Sequence, residues 1–65
     1  MSPNRLSHVI KKLRGKRTQA EIAKEAGVTK NYITMLEAGK RKNPSLPVLR
    51  RLAKALGVPL TELLG

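Results

Sequence analysis

The sequence has no cysteine, no phenylalanine and no tryptophan, with one histidine, one tyrosine and only four acidic residues. Each scarcity closes off a class of chemistry. Without cysteine there is neither a disulfide framework nor a thiolate metal site, so helix packing must hold the fold, and a reducing cytoplasm suits it. His8 has no second histidine and no acidic cluster near it. That leaves no metal ligand set and no nucleophile–base pair, so we expect no metal, no cofactor and no enzymatic activity. RNA-recognition sheets and single-strand grooves stack bases on several aromatic side chains, and here Tyr32 stands alone. No stretch approaches the roughly 20 apolar residues that span a bilayer, and the N-terminus carries no apolar signal-peptide core. We expect a soluble intracellular protein with no membrane partner.

What the chain has in excess is positive charge. Fourteen Lys and Arg against four Asp and Glu give a formal net charge of +10. A polyanion is the natural partner, bound with a log affinity that falls by about 0.9 per neutralised phosphate for each decade of salt. The aromatic shortage favours a duplex over a single strand. A chain of 65 residues suffices for one domain that buries about 60% of its unfolded surface. No repeat, low-complexity segment or linker is visible, so residues 1–65 are expected to form a single domain.

Five helices and no strand are predicted. Ser2-Pro3 starts the first, with serine as cap and proline at the first helical position. Leu6, Val9, Ile10 and Leu13 then make one apolar stripe before Gly15. Its outer face carries Arg5, Lys11 and Arg14, and the connector adds Lys16 and Arg17, the better phosphate candidates. Thr18 followed three residues later by Glu21 is a capping box that opens a second helix at Gln19, and Gly27 ends it. Thr29 caps a third helix that stops at Gly39. Lys40-Arg41-Lys42-Asn43-Pro44 is a basic, non-helical loop suited to clamp a phosphate backbone. Ser45 caps a fourth helix with Pro47 in its first turn and Leu49, Leu52, Ala53 and Leu56 inward, closed by Gly57. Arg50, Arg51 and Lys54 are expected to face water. A last short helix, Val58 to Leu64, enters through Pro59, and its leucines exceed the needs of a small core. Leu60, Leu63 and Leu64 are therefore candidates for pairing with a second copy.

The segment 18–39 organises the rest. On its second helix Ile33 and Leu36 share a face with Thr29 and Glu37 beside them. Asn31, Thr34, Met35 and Ala38 occupy the opposite face, flanked by Lys30 and Tyr32. One side packs while the other reaches outward, with small Ala23 at the crossing of the two helices. That is the layout of a helix-turn-helix whose second helix enters the DNA major groove.

From about Leu6 to Leu64 the chain resembles the phage repressor and Cro family, the lambda-repressor-like or XRE helix-turn-helix domains. The residues that carry the resemblance are Thr18 to Ala23, Ala26-Gly27-Val28, Tyr32-Ile33, Leu36-Glu37, Gly39, Asn43 to Leu46 and Leu52 to Val58. It implies an all-α, five-helix domain with the motif in helices two and three. By position it implies that Lys30, Asn31 and Met35, with Thr34 adjacent, read base edges. Lys30 suits guanine O6 and N7, and Asn31 suits adenine N6 and N7, each good bidentate pair giving about 1–3 kcal/mol of discrimination. Gln19 would bond a phosphate through its backbone amide and an adjacent base through its side chain. Arg17, Thr18, Thr29, Tyr32, Lys40, Arg41, Lys42 and Asn43 would also follow the DNA backbone. By alignment Lys12 faces Glu37 in a structural ion pair, which lysine makes without a fork, with Arg14 as the alternative partner. Arg17 stands where the family often has an apolar residue, and Pro59 where it usually has a cap.

The function the resemblance implies is a sequence-specific regulator of transcription, acting as a repressor. It would bind double-stranded DNA as a homodimer on a two-fold operator with half-sites about 34 Å apart. No small-molecule ligand is expected. The location would be the bacterial cytoplasm, at a bacterial or phage nucleoid. The alternative is an antitoxin-type protein-interaction module that binds DNA only to control its own synthesis. Charge-driven, sequence-blind binding is a third reading.

Overall fold

The computed structural model describes residues 5–40 and 44–64. They form five helices: α1 (Arg5–Arg14), α2 (Gln19–Ala26), α3 (Lys30–Glu37), α4 (Leu46–Leu56) and α5 (Thr61–Leu64). No strand occurs among the described residues. The expected helix start at Ser2-Pro3 and the loop residues Arg41, Lys42 and Asn43 lie outside them.

Local chemistry sets the helix ends. Glu21 N–H donates to Thr18 Oγ1 at 3.0 Å while Thr18 N–H donates to the Glu21 carboxylate at 2.9 Å, so both halves of the capping box form. Gly27 then turns left-handed at φ 72°, a conformation that lets Val28 N–H reach Ala23 C=O at 2.9 Å and closes α2. Two residues on, Thr29 Oγ1 accepts from Tyr32 N–H at 3.0 Å and opens α3. The corner is short because a cap follows a stop almost at once. Ser45 caps α4, and Pro47 sits in the first turn, where its missing N–H costs nothing.

Ile10, Ile22, Ile33, Leu36 and Leu52 are wholly buried, so α1 to α4 each place at least one large apolar side chain in a common core. Each such burial contributes about 1.5–3 kcal/mol. Small Ala23 and Ala26, both buried, let neighbouring helices come close to α2, which packs against α3 on one side and α4 on another. α1 packs on α3 and α5. The helix α3 is thus braced from behind by α1 and α2, which leaves its far side uncovered.

One expectation fails at the C-terminal end. Leu63 is only 4% exposed and belongs to the core, not to a surface for a second copy. In a four-residue helix the leucine that faces α1 and α4 has no room to face outward too. Leu60 is half-buried against the core, and Leu64 remains exposed.

Candidate nucleic-acid interface

Two faces of α3 differ sharply. Ile33, Leu36 and Glu37 are buried, whereas Lys30, Asn31, Thr34 and Ala38 are exposed and Met35 is half-exposed. The helical period brings Lys30, Asn31, Thr34 and Met35 onto one outward patch. Asn31 Nδ2 donates to Met35 Sδ at 3.6 Å. Sulfur is a weak acceptor, so the amide can exchange this contact for a stronger one. Tyr32 is half-buried against the core, at the flank of the patch. Around the patch lie exposed Thr18 and Thr29, whose hydroxyl oxygens cap their helices, and exposed Lys40 just past the end of α3. Gln19 is half-buried at the first position of α2.

Behind the patch runs a chain of polar contacts that begins in the core. Arg14 Nε and Nη2 donate to the two Glu37 carboxylate oxygens at 2.6 and 2.9 Å, a fork that lysine cannot make. Gln19 Nε2 donates to Glu37 Oε1 at 3.1 Å, and Thr34 Oγ1 donates to Gln19 Oε1 at 2.7 Å. The partner of Glu37 is therefore Arg14 and not Lys12, which corrects the expectation from sequence. Lys12 is exposed and lines a groove between α1 and α5 with Arg5, Val9, Leu13 and Glu62. Arg14, at the last position of α1, can reach sideways past the helix end, which Lys12 cannot do from within it.

Burial by itself would push the Glu37 carboxyl up, yet the hydrogen bonds from Arg14 and Gln19, helped by the charges of Arg14 and Lys11, hold it below its ordinary value of 4.5. A carboxyl whose folded value is depressed contributes stability that is present above the unfolded value and is lost as pH falls through the folded one. Stability should therefore decline on acidification from about pH 4.5 downward. Glu21, held low by its bonds to Thr18, adds to the decline with the same sign. Urea midpoints measured from pH 6 to pH 2 are expected to fall less steeply for Glu37→Gln, which has no proton to take up; equal slopes would refute the assignment.

Arg17 is a second correction. Its Nη1 donates to Ala55 C=O at 2.9 Å, and its Nη2 to Leu13 C=O and Leu56 C=O at 3.2 Å each. The guanidinium caps the C-terminal ends of α4 and α1, satisfying carbonyls left without helical partners and meeting the negative ends of both dipoles. A side chain so engaged is not a free phosphate contact. The Arg17 carbonyl in turn accepts from Arg14 Nη1 at 2.8 Å, which joins the cap to the ion pair. Ser7, fully buried on α1, is a further position the apolar pattern did not single out. Among the described residues no group of three or more His, Cys, Asp or Glu could hold a metal ion. No described helix is long and apolar enough to cross a membrane.

A family model described as Helix-turn-helix matches residues 10–63, which contain α2, α3 and α4 in full. The chain belongs to the XRE-type helix-turn-helix family. This helix-turn-helix chain is 42% identical over 43 residues to the HTH-type transcriptional regulator SlrR of Bacillus subtilis (strain 168), a match covering 66% of this chain and 28% of that protein. It is 44% identical over 46 residues to the uncharacterized HTH-type transcriptional regulator y4dJ of Sinorhizobium fredii (strain NBRC 101917 / NGR234), covering 71% and 58% respectively. The matched region thus spans less than two thirds of either curated relative. The two helices of the helix-turn-helix are α2 and α3.

Proposed function

We propose that this helix-turn-helix protein is a sequence-specific regulator of transcription that binds double-stranded DNA by laying α3 in the major groove. The observation that carries the reading is the division of α3 into a buried face and an outward patch of Lys30, Asn31 and Met35 with Thr34 adjacent. Lysine donates to guanine O6 and N7, asparagine matches adenine N6 and N7, and the thioether can touch a thymine methyl. The N-terminus of α2 at Thr18 and Gln19, with Thr29, Tyr32 and the cations from Lys40 to Lys42 and Asn43, would follow the phosphates on either side. The net charge of +10 supports a polyanionic partner. The regulatory role is supported by likeness to two transcriptional regulators, and repression from a cytoplasmic location is what the resemblance to phage repressors implies.

We further propose a homodimer on a two-fold operator. Leu64 is 56% exposed at the end of α5, and Leu60, just before that helix, is half-buried against the core, which leaves apolar surface for an isologous contact. Leu63 takes no part in it.

Selection from randomised duplex DNA tests both proposals. The expected result is one enriched motif with two-fold symmetry, and no motif, or an asymmetric one, would count against them. Within that experiment Lys30→Ala should relax preference at one base pair. Lys40→Ala should weaken all duplexes alike and reduce the salt slope by about one unit. The same effect from both changes would remove Lys30 from base reading.

A further inference from the structure

We propose that the cleft between α2 and α4, with the outward ridge of α4 beside it, is a docking site for an acidic peptide segment of a partner protein. Pro47, Arg50, Arg51 and Lys54 follow one another at i, i+3, i+4 and i+7, and all four are exposed. They make one stripe along α4. Arg51 and Lys54, with buried Ala55 and with Glu25 on the α2 side, line a cleft of about 480 Å³, a volume within the usual range for ligand sites. The Arg51 guanidinium is set in place there: a Cβ at Gly27 would lie 3.7 Å from its Nη1, so the charge rests at the C-terminal end of α2, where the helix dipole is negative.

The charges of this cleft are not spent on one another. Among the described residues neither Arg51 nor Lys54 has a side-chain hydrogen bond or an ion pair, although Glu25 lines the same cleft. A ligand that completes the site must bring carboxylates for the cations and a donor for Glu25. An acidic peptide brings both. Its alternate side chains in an extended stretch lie about 6.5 Å apart, against about 5–6 Å for cations at i and i+3 of a helix, and its backbone supplies N–H groups. The phosphates of a second duplex offer acceptors alone and would be set against the Glu25 carboxylate. The site also stays open while α3 is in use. Because α2 packs against α3 on one side and α4 on another, the thickness of a helix, about 10 Å, separates the ridge from the outward patch of α3.

The test titrates the full chain with a fluorescently labelled glutamate homopeptide at about 0.15 M salt, where exposed charges more than about 8 Å apart are largely screened. Each variant is first shown to be helical by circular dichroism. Arg51→Gln with Lys54→Gln should weaken the peptide about tenfold, near the upper range for two exposed ion pairs. Arg5→Gln with Lys12→Gln removes the same charge from the α1–α5 groove and should change the affinity by less than about twofold. Equal losses, or no saturable binding by the unaltered chain, would overturn the site. Glu25→Ala should weaken the peptide as well, because it removes an acceptor for the peptide backbone. A gain instead would make the cleft a bare anion site, open to a phosphate backbone, and would overturn the peptide assignment. Prior saturation with the selected operator should leave the peptide affinity within about threefold, and displacement of the peptide would place the ridge on the DNA face and overturn the docking site. Only this last arm needs an operator. If the unaltered chain enriches no motif, the proposed function fails while the peptide titrations still decide the docking site.

Discussion

Arg14→Met is expected to destabilise the fold by about 3 kcal/mol, the lower end for removing one partner of a buried ion pair. Glu37 is the reason for so large a loss. Its side chain is 4% exposed against 19% for Arg14, so when the arginine goes the carboxylate stays inside with, among the described residues, only the Gln19 side chain to bond it. The converse change, Glu37→Leu, should cost less, because the freed guanidinium can swing toward water. Replacing both, as Arg14→Met with Glu37→Leu, should recover much of the loss, since an apolar pair of similar volume is often as stable as the ion pair it replaces. Arg14→Lys should fall between, with charge but no fork. A domain of 65 residues has a total stability of about 3–10 kcal/mol, so Arg14→Met alone would leave the chain marginal. Urea denaturation of the four variants decides the matter. A loss below about 1 kcal/mol for Arg14→Met would reduce the pair to a surface contact of the usual small worth.

Replacing Lys30, Asn31 and Met35 together by alanine is expected to remove most of the sequence preference while sparing the fold. Specific complexes typically exceed a protein's non-specific binding by at least about a thousandfold, and most of that margin is what the triple change should remove. Binding driven by charge should persist, weakened at all sequences and still steeply dependent on salt. Stability should hardly move. Lys30 and Asn31 are exposed and Met35 half-exposed, and alanine is the better helix former at each position. Filter or fluorescence titration of the selected operator against an unrelated duplex of equal length measures the ratio. A preserved ratio would exclude this face of α3 from recognition, and a collapse in stability would make it part of the packing.

How much of this was legible in the sequence differs by length scale. Thr18 with Glu21, Gly27, Thr29 and Ser45 speak through contacts a few residues away, so the helix ends could be read from spacing, and the capping box formed as expected. The buried side of α3 followed from its period. The arginines did not yield to this reasoning. Arg14 lies on a face that a helical wheel assigns to solvent, and Arg17 sits in a connector, yet their partners are 23 and up to 39 residues away. Long side chains at helix ends escape the wheel because nothing beyond the last turn confines them. A signal for Arg17 was present nonetheless: it occupies a position where the family often has an apolar residue, and its guanidinium indeed turns inward to cap α4. Among the leucines of α5, composition shows that there are several, but only the packing of α5 on α1 and α4 tells that Leu63 is inside.

The most direct test of the central claim, that the outward face of α3 meets DNA, is amide chemical-shift mapping during titration with the selected duplex. The account predicts saturating shifts at Gln19, Lys30, Asn31, Thr34, Met35 and Lys40. Shifts confined to the α1–α5 edge, at Arg5, Val9, Lys12 and Glu62, with α3 unmoved, would contradict it.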